Sequence, residues 1–132
     1  MSAPRILLAL ATLLALGGCS RELQAPVDKG VCWHLVQLTG GKQRFNRLAQ
    51  NQPDLEHCAA QLEMMRLRFA ALGATQHYVT GAYQGQFLFI QPEGVFTAPT
   101  FNGYHFPFMV RTGDGRLAIP GAMPTTTGEL SG

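Results

Sequence analysis

Serine is almost missing from this chain. Only Ser2, Ser20 and Ser131 occur among its 132 residues, all close to an end, so no hydroxyl sits where a packed pocket could surround it with a base and oxyanion donors. Serine hydrolysis is left without a nucleophile. The patterns GxSxG, HExxH, GxxxxGK and GxGxxG are absent too, which removes the usual signatures of hydrolases, zinc proteases, nucleotide phosphate loops and dinucleotide sites. No apolar run is long enough to span a bilayer as a helix. Charge of one sign is also lacking: Lys and Arg number 10 against 8 Asp and Glu, a net of +2, and no basic footprint for nucleic acid is visible. Thiol, metal and carboxylate chemistry remain, together with binding that involves no chemistry.

What the chain does have comes first in its amino-terminal segment. Arg5 precedes a stretch from Ile6 to Leu16 that is apolar apart from Thr12, and Leu16-Gly17-Gly18-Cys19 follows. A basic residue, a short apolar run and small residues at a cut point have the layout of an export signal. The last four residues resemble the lipobox of bacterial lipoproteins. That resemblance implies removal of residues 1–18 as a signal peptide and a mature chain beginning at Cys19, with diacylglycerol on its sulfur and an acyl group on its amine. Each buried methylene contributes about 0.8 kcal/mol, so several acyl chains together anchor stably. Ser20 stands where an aspartate signals inner-membrane retention, so the resemblance places the protein on the periplasmic face of the outer membrane. Gly17, where Ala or Ser is commoner, and the single basic residue Arg5 depart from the usual pattern.

The rest reads as one small domain, organised as an acylated amino terminus and flexible tether over 19–30, a disulfide-stapled fold over 31–120, and a disordered tail over 121–132 whose Gly, Thr and Pro carry almost no apolar surface. With Cys19 given to lipid, Cys32 and Cys58 remain as a pair in an oxidising compartment. Closing a loop of that size stabilises by roughly 3 to 4 kcal/mol in the chain-entropy model.

Val31–Leu38, rich in β-branched and aromatic residues, reads as a strand. Gly40 and Gly41 then supply the positive φ of a tight turn, and Gln43–Ala49 returns as a basic edge strand. Residues 53–72 read as a helix capped by Asn51 or Gln52, with Pro53 and Asp54 in its first turn and Gly73 at its end. Leu55, Cys58, Ala59, Leu62, Met65, Phe69 and Leu72 recur at three-four spacing as one apolar stripe. Thr75–Ala82 and Gln86–Gln91 form a second hairpin, its continuous Phe87-Leu88-Phe89-Ile90 run marking a strand covered on both faces, and Pro92-Glu93-Gly94 ends it. A third hairpin turns at Thr112–Gly115 between 106–111 and 116–119. The order β-β-α-β-β, with an optional last hairpin, predicts an α+β fold in which an antiparallel sheet packs against one long helix.

Four groups of residues are candidates for function. Cys32 and His34 share a strand face, and pairing of Cys32 with Cys58 draws His57 near, so two sulfurs and two imidazoles form an alternative metal or thiol site. The competing reading is a structural disulfide beside two ordinary histidines. Glu56 and Glu63 share a helix face but are about 10 Å apart along it, and a solvated face is expected. The loop carrying Phe101, Tyr104, Phe106 and Phe108 either docks a partner protein or a glycan, or covers the open side of the sheet. Lys42, Arg44 and Arg47 are cations that could meet phospholipid or lipopolysaccharide phosphates if lipid holds the domain at a membrane.

A strand ending VQL before a glycine turn, then a helix of AAQL type ending in Leu-Gly, is similar to pieces of the sporulation-related repeat that binds peptidoglycan. It covers fewer than half of the residues after Cys19, has an additional strand within it and lacks the second helix of that family. The expectation is a lipid-anchored envelope protein with a non-catalytic interaction domain that uses no cofactor. Its expected partners are the membrane and an unknown envelope protein or glycan.

Overall fold

Alternating and continuous apolar stretches build one sheet whose strands are all antiparallel. The elements are β1 (Cys32–Gln37), β2 (Gln43–Ala49), α1 (Leu55–Ala71), β3 (Val79–Tyr83), β4 (Gln86–Gln91), β5 (Gly94–Ala98), β6 (Phe106–Arg111) and β7 (Leu117–Ala118), and the spatial strand order is β2-β1-β3-β4-β5-β6-β7. This computed structural model describes residues 22–120, so the export segment 1–18, Cys19 and the expected tail 121–132 lie outside the described residues. The α+β class expected from the sequence is the one found. Among the described residues only β1 and β3 pair without being consecutive strands, because β2 and then α1 lie between them in the chain, with α1 crossing one face of the sheet.

That helical face holds the main core. Cys58, Ala59 and Leu62 of α1 pack on Cys32, Val79, Leu88, Ile90 and Val95, all buried. Full burial of one such side chain contributes about 1.5 to 3 kcal/mol. The helix lies close to the sheet because β3 offers Gly81 beneath it: a Cβ there would overlap the Leu62 side chain and the Trp33 carbonyl. The opposite face is aromatic, with Phe87, Phe89 and Ala98 buried among Trp33, Phe45, Phe96 and Phe101. All four residues of the Phe87–Ile90 run are buried, as a strand covered on both faces requires.

Four expectations are corrected. Pro92-Glu93 ends β4 as expected, but as a tight turn that returns the chain at Gly94 as β5, a strand absent from the expected order. The helix cap is Asp54, whose side chain accepts the His57 backbone N–H at 2.8 Å, while Asn51 takes a left-handed conformation ahead of it with φ 56°. The strand β3 begins at Val79, four residues later than expected. Lastly, the expected tether is part of the fold over residues 22–30. Leu23 and Ala25 cover the aromatic face, the Pro26 carbonyl accepts the Gly85 N–H at 2.8 Å, and the Gly30 N–H donates to the Gln84 side chain at 2.8 Å. Two apolar side chains and an open aromatic face are enough to hold a stretch that has no periodicity of its own.

Candidate docking surface

The cysteine and histidine candidates separate. Cys32 opens β1 and Cys58 lies in the first turn of α1; they form a disulfide with a Cα–Cα distance of 5.2 Å, both fully buried, as the sequence led us to expect. His34 points to the helical side but rests against the last turn of α1, its ring 6.1 Å from that of Phe69, and burial lowers its pKa from the usual value. His57 stays in the first turn, exposed, with its Nδ1 2.6 Å from Asp54 Oδ1, and hydrogen bonds from His57 hold the Asp54 carboxyl below its usual range. The distance from His57 to Phe69 along the helix is about 18 Å. The structure does not gather the four residues, and each sulfur is bonded to the other.

The aromatic loop divides between two tasks. Phe101 packs on the aromatic face 5.6 Å from Phe87, and His105 stacks on Phe89 at 3.7 Å while its Nε2 lies 3.1 Å from the Phe101 carbonyl. Phe108 turns to the other face and joins the main core. Tyr104 and Phe106 stay outside, 70% and 52% exposed, edge to face at 4.8 Å. Cover for the sheet and exposed aromatic surface are thus both present, on different residues.

Glu63 corrects the expectation of a solvated helix face. It is only 8% exposed, and its carboxylate accepts from Arg66 Nε and Nη2 at 2.9 and 2.8 Å and from Arg111 Nη1 and Nη2 at 2.7 and 3.0 Å. Arg111 also donates to the carbonyls of Gln91 and Pro92 at 2.7 and 2.8 Å, so one guanidinium ties α1, β6 and the β4–β5 turn together. Burial works to raise the Glu63 pKa, but the hydrogen bonds and charges of Arg66 and Arg111 outweigh it and hold it at about 2. A carboxylate that stays ionised has no proton to give. The open cleft beside it, about 510 Å³ and lined also by Asp114 and Arg116, is floored by groups already engaged with one another.

Past Glu63 the helix changes character. It ends in a Schellman motif, with the Ala74 N–H on the Phe69 carbonyl at 2.9 Å, the Gly73 N–H on the Ala70 carbonyl at 3.0 Å, and Gly73 at φ 86°. Residues 67–78 are all exposed, and Met64, Leu67, Phe69, Leu72 and Tyr78 present large apolar surface there. Phe69 and Leu72 are expected on the buried stripe; β1 meets the last turn only through His34 against Phe69, and the two residues are 39% and 84% exposed. Between this turn and the edge of β1 and β3 lies a groove of about 290 Å³ lined by His34, Val36, Phe69, Gln76 and Tyr78. Arg44 pairs in register with Val36 and so shares the helical face, whereas Arg47 pairs with Trp33 and lies over its ring on the other face, 5.4 Å from the centroid. No Asp or Glu occurs from Met64 to Pro92 or from Lys29 to Pro53. Phe69 and Tyr78 therefore line a groove without a carboxylate, whereas Leu67 lines the cleft that also holds Glu63 and Asp114. The stripe was readable in the sequence, but its emergence from the core was not.

No family model matches the chain, and no curated protein or solved structure matches it either. The likeness to the sporulation-related repeat implies a second helix, and among the described residues α1 is the one α-helix.

Proposed function

We propose that this chain is a lipid-anchored protein of the cell envelope whose folded domain is a non-catalytic contact module. The lipobox resemblance supplies the anchor, at Cys19, and the outer-membrane periplasmic address. The observation that carries the contact role is the apolar surface at the carboxyl end of α1, from Met64 to Leu72 with Tyr78, which the core leaves uncovered. Anchoring raises the effective concentration of that surface for anything in the same membrane, so a modest intrinsic affinity suffices. Mass analysis of the amino-terminal peptide from membrane-fraction protein tests the anchor. A triacylated Cys19 peptide is the expected result, and a peptide retaining Met1 would overturn it.

A second reading is favoured by the exposed Tyr104–Phe106 pair, whose rings can stack on a sugar face. Pull-down on peptidoglycan sacculi checks it: the Tyr104→Ala, Phe106→Ala variant should bind more weakly than the wild type, and equal behaviour retires glycan binding.

A further inference from the structure

We propose that the domain seats the carboxyl end of α1 and the loop over residues 73–78 directly on an anionic phospholipid bilayer, making a second attachment beside the lipid at Cys19. The inference rests on the anchored reading above and deepens it by naming what the exposed surface meets. Two features of the molecule point to lipid at this end of the helix, and a third keeps the domain near it. Phe69 and Tyr78 line one groove and Leu72 stands exposed at the helix end beside it, an apolar surface tipped by a ring with a polar end, the combination suited to the boundary between headgroups and acyl chains. The cations on this side are Arg68 on the helix, Arg44 in register with Val36, and Lys42 just before β2, and no Asp or Glu lines the groove, which complements phosphate. The span from Cys19 to Glu22, where the described fold begins, is at most about 10 Å of extended chain, which keeps the domain at the membrane; residues 22–30 lie on the aromatic face, so it is the two features above that single out the helix end.

A second copy of this chain fits the same region poorly. In a two-fold contact the patch would meet itself, setting the cations Arg68, Lys42 and Arg44 of one copy against the same cationic patch of the other, with no Asp or Glu in the groove to offset them.

The test uses acylated protein purified from membranes and reconstituted into vesicles of phosphatidylcholine alone or of phosphatidylcholine with phosphatidylglycerol. Amide hydrogen exchange over residues 64–78 is the readout. Exchange there is expected to slow several-fold on the anionic vesicles relative to the neutral ones, and high salt should restore most of it. The Leu67→Glu, Leu72→Glu variant, altered only at exposed positions, should keep its anchor and lose the protection, with exchange in β3 and β4 unchanged as the control for folding. Equal exchange on both vesicle types overturns the proposal. So does protection that follows protein concentration and ignores lipid composition, which would indicate a second copy, or protection that appears only with envelope extract, which would indicate a protein partner. The anchor is read separately from the mass of the amino-terminal peptide. If Cys19 proves unmodified, the same protein added to anionic vesicles should still show slowed exchange over 64–78, so the two ideas stand or fall apart.

Discussion

The two halves of α1 come from one continuous three-four pattern, yet they meet different surroundings. As far as Glu63 the helix is fixed from several directions: Asp54 caps it, Cys58 is bonded to β1, Leu62 fills the space over Gly81, and Glu63 is clasped by Arg66 and Arg111. Beyond Glu63 only Met65 still packs against the main core, and Leu67 and Leu72 face water. An apolar repeat says which side of a helix can be buried, but not how far the sheet beneath it extends. The fixed half holds the fold together, and the free half is available to something outside it.

Substitutions can break that contrast, and they rank by how firmly each anchoring group is held. Replacing both Cys32 and Cys58 by Ala should cost about 3 to 4 kcal/mol in urea unfolding, with the first half of α1 gaining the most amide exchange. Glu63→Gln follows at about 3 kcal/mol, because it leaves two enclosed guanidinium groups short of their counter-charge. The same residue sets an acid limit. Its folded pKa of about 2 lies below the ordinary 4.5, so the unfolded chain takes up its proton first; the contribution is intact above pH 4.5 and is lost as pH falls toward 2. Thermal melts of wild type and Glu63→Gln across that window should converge at the acid end. His34 adds a smaller effect of the same sign: with its folded pKa lowered by burial, stability should fall as pH drops below 6.5, and His34→Gln should flatten that part of the curve. Asp54→Ala should cost about 1 kcal/mol through loss of the cap. Smallest of all, Leu67→Glu with Leu72→Glu should shift stability by no more than about 0.5 kcal/mol, confirming that the far half contributes little to folding.

Much of the architecture was legible because local chemistry and final structure agree. Gly40 and Gly41 adopt the positive φ their turn demands, β2 and β4 keep the bounds their residues imply, and the two inner cysteines meet. What was hidden depends on partners distant in sequence. Glu63 looked like one more charge on a wet face, since nothing nearby reveals Arg111, 48 residues away. The strand β5 was lost between Pro92-Glu93 and Pro99, a segment so short that its turn residues outweighed its alternation. Leu23 and Ala25 carry no period, and only the aromatic rings they cover explain why residues 22–30 are fixed. For the candidate site, the apolar residues of the helix end and the cations of β2 could be named in advance. Their joint exposure on one side could not, because it depends on where β1 and β3 stop.

The single non-consecutive strand pairing has a consequence for how the protein is made. Strands β3 to β7 form a meander that closes through short loops, whereas β1 finds β3 only across a connection that contains both β2 and α1. Once that late step is complete, both sulfurs are sealed from solvent, and thiol–disulfide exchange needs access to them. An oxidant is therefore expected to reach Cys32 and Cys58 before the helix settles on the sheet, which makes the partly assembled chain, and not the finished domain, its substrate.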